Sequence, residues 1–190
     1  YENSRRTERR RRAPTLTLLN GAPGSGKSTL AALLAEERPL ALALDIDAIK
    51  HALGGWDEDL TRSGLQARRL ATAMIGQHLA DGYDVVLGQY LARIPFLDEL
   101  EQLAAAREAR FVEVALLLDE HTLAQRLQRR RERPDRPEQA RNDRFVSPGQ
   151  AGELIRSIEE VLALRPAARR VDASGSIEQT LAAVRALLAR

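Results

Sequence analysis

Gly21-Ala22-Pro23-Gly24-Ser25-Gly26-Lys27-Ser28 sets three glycines, a lysine and a hydroxyl at the spacing GxxxxGK(S/T). Each residue type suits the same chemistry. Glycines let consecutive backbone N–H groups converge on phosphate oxygens, at angles other residues resist. A helix starting directly after them adds its positive end. Lys27 is long and slender enough to reach β- and γ-phosphates, and the Ser28 hydroxyl can ligate Mg²⁺. Of 29 basic residues only Lys27 and Lys50 are lysines, so a lysine here stands out against an arginine-rich background. A compact point charge suits this position better than a planar fork. The loop predicts binding of a nucleoside triphosphate.

Two further groups bear on what happens to the phosphate. Asp45-Ile46-Asp47-Ala48-Ile49-Lys50-His51 follows an apolar run, and Asp47, Lys50 and His51 share one side of a helix at i, i+3 and i+4. A carboxylate there could take the proton of an acceptor hydroxyl, with Lys50 holding an anionic or hydroxylated acceptor; either aspartate could instead cap the helix. Arg126 and Arg130 are spaced i, i+4, and Arg129, Arg133, Arg136, Arg141 and Arg144 surround or follow them. An arginine-bearing lid over about 130–147 would supply cations to a transferring phosphoryl and keep water out. A competing pattern is Leu116-Leu117-Leu118-Asp119-Glu120, a strand ending in two acids that could support hydrolysis. Asp119 can equally be the cap of the arginine-rich helix, and that reading is preferred.

These residues need a scaffold, and the chain alternates strands and helices. Thr15–Leu19, Leu40–Leu44, Val85–Leu87, Phe111–Leu118 and a short run around Val171 are predicted as strands. Helices are predicted over about 28–38, 48–53, 62–80, 95–106, the arginine-rich segment, a stretch ending near Leu164, and the C-terminus. Short strands apolar on both faces imply an α/β, three-layer architecture around a mostly parallel five-stranded sheet. Ligands bind such sheets beyond the carboxyl ends of the strands, where the chemical residues fall.

Length and composition bound the alternatives. At 190 residues the chain fits one domain, expected over 14–190 behind a basic tail at 1–13. Cysteine is absent, and aromatics are 4% against 44% hydrophobic residues. This excludes a disulfide scaffold and offers few rings for stacking bases. No apolar run is long enough to span a bilayer. The first twelve residues carry a net charge of +4 and the rest −2. The tail is read as a solvated arm, so neither nucleic acid nor a membrane is the expected partner, with a polynucleotide 5′-hydroxyl kinase using that tail as the alternative, and the expected location is cytoplasmic.

The residues resemble the small P-loop kinases, in particular the zeta-toxin and chloramphenicol-phosphotransferase-like branch. The loop Gly21–Thr29 carries the general likeness, with Ala22, Pro23, Ser25 and Thr29 among the phosphate contacts it implies. Leu44-Asp45-Ile46-Asp47-Ala48-Ile49-Lys50 is similar to the segment whose second aspartate activates the acceptor hydroxyl in that group. Gly88-Gln89-Tyr90-Leu91-Ala92-Arg93 is similar to the segment lining the acceptor groove, implying Gln89 and Arg93 as acceptor contacts beside Lys50. Arg126 and Arg130 are placed like arginines that begin the lid and stabilise charge. Asp172-Ala173-Ser174 is similar to the loop passing the adenine. The resemblance implies ATP with Mg²⁺, a small hydroxylated acceptor and phosphoryl transfer to an alcohol. It departs at Gly88-Gln89, where many P-loop enzymes place a metal-associated acid. Asp47, Asp45 and Asp119 remain the candidates for that role.

Overall fold

The computed structural model describes residues 12–133 and 146–189. Among these, five parallel strands run β1 (Thr15–Gly21), β2 (Leu42–Leu44), β3 (Val85–Gln89), β4 (Arg110–Leu117) and β5 (Arg169–Asp172), in the order β2-β3-β1-β4-β5. The helices are α1 (Lys27–Glu36), α2 (Ile46–His51), α3 (Leu60–Ala80), α4 (Ile94–Ala106), α5 (Glu120–Glu132), α6 (Ala151–Leu164) and α7 (Ile177–Leu188). The sheet is all-parallel where the sequence suggested mostly parallel. The arginines Arg136, Arg141 and Arg144 and most of the basic tail lie outside the described residues.

Every residue of central strand β1 is buried, because both faces are covered. Leu19 packs with α1, α5 and α7 through Leu30, Leu34, Leu123, Leu127 and Val184. Leu16 and Leu18 face the other layer, with Ala71, Ile75 and Leu79 of α3 and Leu97 and Leu100 of α4. That two-sided burial is why these strands read as continuous apolar runs rather than alternating ones.

Strand β2 is shorter than predicted. Leu40 has φ of 59° and is 63% exposed, with its carbonyl accepting from His78 Nε2. The Ala41 N–H bonds back to the Arg38 carbonyl, so a turn takes residues 38–41 out of the sheet. Apolar composition alone could not distinguish that turn from a strand. Helices α2 and α3 each start two residues earlier than predicted, because Asp45 and Asp59 accept from backbone N–H groups of their first turns.

Candidate active site

Closure of the loop between β1 and α1 dictates its glycines. A Cβ on Gly21 would lie 2.6 Å from Ser25 Oγ and 3.1 Å from the Leu116 carbonyl oxygen. Gly24 and Gly26 have φ of 87° and 92°, in the left-handed region that favours glycine. Gly26 is also the N-cap of α1 and has no side chain to satisfy its first N–H groups. Those donors are left without a side-chain cap, and a helix start of this kind can donate to an oxyanion. Ser25 Oγ is buried without a hydrogen-bond partner.

Lys27 Nζ donates to the Ala22 carbonyl at 3.0 Å, folding the side chain back over its own loop. Burial, and then the charge of Arg130, lowers its pKa from 10.5 to about 8, against the raising influence of Asp45 and Asp47. A cation held at this cost is suited to an incoming polyanion, whose charge would favour the protonated form. The residues thus fit a triphosphate: a glycine cradle no Cβ could share, open helix donors and a lysine poised among them.

The two aspartates after β2 have different surroundings. Asp45 Oδ1 accepts from the N–H groups of Asp47 at 2.9 Å and Ala48 at 3.4 Å, capping α2. Its Oδ2 accepts from the Ser28 hydroxyl at 3.1 Å. Asp47, one step into the helix, keeps its side chain 44% exposed, with Lys50 Nζ at 3.6 Å. Lys50 also lies over Trp56, 5.3 Å from its ring, and His51 packs on that ring at 4.4 Å between centroids. Trp56 is buried at 8% exposure and supports the end of α2 through these two contacts. Among the described residues no three His, Cys, Asp or Glu side chains gather as a metal site. Mg²⁺ arriving on a nucleotide would rely on Ser28, with Asp45 behind it.

Strand β3 lies so close to the start of α1 that a Cβ on Gly88 would be 3.1 Å from the Lys27 carbonyl oxygen. Any side chain at Gly88 would have to push the start of α1 away by a few tenths of an ångström. Next to it, Gln89 has a buried Oε1 without a partner. The turn leaving β3 is fixed by Asn20, which is fully buried, donates to the Leu91 carbonyl at 3.0 Å and accepts from the Leu91 N–H at 2.9 Å. The sequence reading missed Asn20, although a polar residue inside a buried apolar strand was the available signal. Tyr90 turns to Ser157 of α6 at 2.8 Å, and Arg93 is exposed at the N-cap of α4.

Helix α5 lies over the phosphate loop: a Cβ on Gly24 would touch Leu123, Leu127 and Arg126 at 3.6–3.7 Å. Asp119 is its N-cap, accepting from the Thr122 N–H at 2.8 Å and hydroxyl at 2.6 Å, bonds that hold its pKa below the usual carboxylate range. Glu120 lies against α6, where a Cβ on Gly152 would be 2.9 Å from its Oε1. Arg126 Nη2 donates to the carbonyls of Ser174 at 3.2 Å and Gly175 at 2.8 Å. Asp172 orders the same loop by accepting from the Ser174 N–H at 2.9 Å, the main cause of its lowered pKa. Arg126 therefore reaches toward the loop after β5, while Arg130, one turn further on, is the arginine whose charge acts on Lys27.

The family model described as an AAA domain matches residues 16–147, well over half of the chain. This chain belongs to the AAA domain family. No curated protein sequence matches it. Among solved structures, it is similar to a gluconokinase from Sinorhizobium meliloti 1021, at 22% identity and a TM-score of 0.64 over 95% of this chain and 94% of that one. It is also similar to deoxyadenosine kinase from M. mycoides, at 12% identity and a TM-score of 0.56 over 92% and 98%. A chain of the Pnkp1/Rnl/Hen1 RNA repair complex matches 77% of this chain, with 44% of its own length covered, at 18% identity and a TM-score of 0.64. The fold is that of the small P-loop kinases. The match does not single out the zeta-toxin branch.

In this AAA domain, the loop after β1, the acids after β2, the tip of β3, helix α5 and the loop after β5 converge at the carboxyl edge of the sheet. The arrangement can hold a polyphosphate along the loop, with carboxylates on one side and guanidinium groups above. Among the described residues no helix is long and apolar enough to cross a membrane.

Proposed function

We propose that the protein transfers the γ-phosphoryl of ATP to a hydroxyl group of a small molecule. The observation that carries this reading is the division of labour between the two aspartates. Asp45 is committed to Ser28 and to the cap of α2, while Asp47 stands half exposed beside Lys50. A site built only to hydrolyse nucleotide has no need for a second carboxylate set apart in this way, whereas an alcohol acceptor needs a proton acceptor.

In this reading the loop amides and Lys27 bind the triphosphate, and Ser28 supplies the protein oxygen for Mg²⁺. The metal neutralises charge on the phosphates when bound. Asp47 accepts the acceptor's hydroxyl proton, and Lys50 orients the Asp47 carboxylate. Arg130 stabilises the charge that spreads over the transferring group. Arg126 and Asp172 shape the nucleotide's base end. Gln89, whose amide oxygen lacks a donor, and Arg93 contact the acceptor. The competing acid pair does not favour hydrolysis: Asp119 serves Thr122 and Glu120 lies against α6.

The test is a screen of hydroxylated metabolites and antibiotics, plus an oligonucleotide with a 5′-hydroxyl, for acceptor-dependent ADP release and a phosphorylated product by mass spectrometry. Asp47→Asn should then lower turnover by about 10²- to 10⁴-fold with the fold intact. ADP release that yields only inorganic phosphate with every acceptor, or undiminished turnover in Asp47→Asn, overturns the proposal.

A further inference from the structure

Parallel strands put the phosphate loop at one edge of the sheet. At the opposite edge a cavity of about 500 Å³ opens between the ends of α1 and α7, beneath the starts of β3 and β4. That volume is within the range of small-molecule sites, about 300–1,000 Å³. Leu34, Val86 and Leu188 give it an apolar lining, and its charged residues are four arginines against two carboxylates.

Both carboxylates are already engaged. Asp84 pairs with Arg38 and accepts from the Thr15 N–H at 2.6 Å. Glu37 pairs with Arg185 at 2.6 Å. Among the described residues the other two arginines pair with no acid: the Arg110 side chain donates to the Leu188 carbonyl at 3.2 Å, and Arg12 makes no ion pair.

We infer that this cavity is a second ligand site, for a small organic anion: an apolar body carrying one phosphate or carboxylate group. The body rests on Leu34, Val86 and Leu188. Arg12 and Arg110 take the anion. Two guanidinium groups in excess match one such group, since arginine pairs with carboxylate and phosphate through the same planar donor fork. The apolar lining selects against bare inorganic ions.

Calorimetric titration of the full chain with phenyl phosphate and with benzoate tests this, and the two probes separate a phosphate ester from a carboxylic acid. At least one should bind at one site per chain, more tightly than inorganic phosphate, and equally well in the Lys27→Met protein. Arg12→Glu, at an exposed position, should weaken binding about tenfold with the melting temperature unchanged, as expected for a lost charge-assisted hydrogen bond. Arg110→Ala should weaken it similarly. Absence of binding by both probes, loss of binding in Lys27→Met, inorganic phosphate binding as tightly, or unchanged affinity in both arginine variants overturns the inference.

Discussion

Lys27 and Arg165 are both partly buried cations, and their surroundings are opposite. Arg165, at the end of α6, meets three carboxylates: Asp98 at 3.0 Å, Glu101 at 2.9 Å and Glu113 at 2.9 Å. Glu113 sits inside β4 with its side chain 3% exposed, and burial raises its pKa although Arg165 opposes the shift. Lys27 bonds a backbone carbonyl at 3.0 Å, and burial and Arg130 lower its pKa against the weaker opposing influence of Asp45 and Asp47. In the scaffold, buried charges are matched within the chain and join β4, α4 and α6. At the phosphate loop the proposed function leaves the matching anion for the nucleotide to bring, and in its absence burial lowers the lysine's pKa. Natural proteins tolerate such local cost where it prepares a site.

The largest effect expected from breaking that contrast is at Lys27. Lys27→Met should lower turnover by at least about 10³-fold, as for loss of a principal electrostatic contact to a transferring group. It should also leave the ligand-free melting temperature at neutral pH unchanged or raised by a few degrees. The sign follows from linkage. A lysine pKa of about 8 in the fold against 10.5 unfolded means the penalty for the charged form is full below 8. The penalty fades as pH rises toward 10.5, where both states have lost the proton. Native nucleotide affinity should accordingly weaken as pH rises through about 8, and binding titrations across that range would show it. A melting temperature that falls sharply in Lys27→Met would make the lysine a structural residue instead.

Next in size, Arg165→Met should destabilise the fold by about 3–5 kcal/mol, because it strands Glu113 without its partner. Denaturant titration measures the loss, and turnover per folded molecule should stay within about twofold of native. A large fall in turnover at unchanged stability would erase the distinction between the two regions.

The smallest effect sharpens the comparison within α5. Arg126→Ala should raise the nucleotide KM about tenfold with kcat nearly unchanged, since its bonds go to the Ser174 and Gly175 carbonyls. Steady-state kinetics decides. A fall in kcat at constant KM would return Arg126 to the role of charge stabiliser first read from its sequence position.

The phosphate loop was legible because its requirements are local. Gly24 and Gly26 need positive φ, and Lys27 and Ser28 follow within two residues. The five strands were legible because two-sided burial demands apolar runs. The turn at Leu40 was not, since its apolar residues suit a strand equally well. The spacing of Asp45 and Asp47 placed both near the site but left their roles open. Only the 3.1 Å bond from Ser28 separates the aspartate tied to the loop from the one left exposed. Asn20 escaped notice because its partner, Leu91, lies 71 residues away.

By itself, the sequence determined the backbone shape of the phosphate loop, the cap that starts α5, and the alternation of strand and helix. These depend on steric limits and hydrogen bonds among residues a few positions apart. Tertiary structure alone decided that Ser28 meets Asp45, that Ile177 packs 2.9 Å from where a Gly26 Cβ would stand, and that Arg126 holds the loop at Ser174 and Gly175. It decided equally that Arg165 gathers three carboxylates from α4 and β4. Such meetings follow from how the layers pack to bury both faces of one sheet, and residues far apart in sequence become neighbours only once that packing is in place.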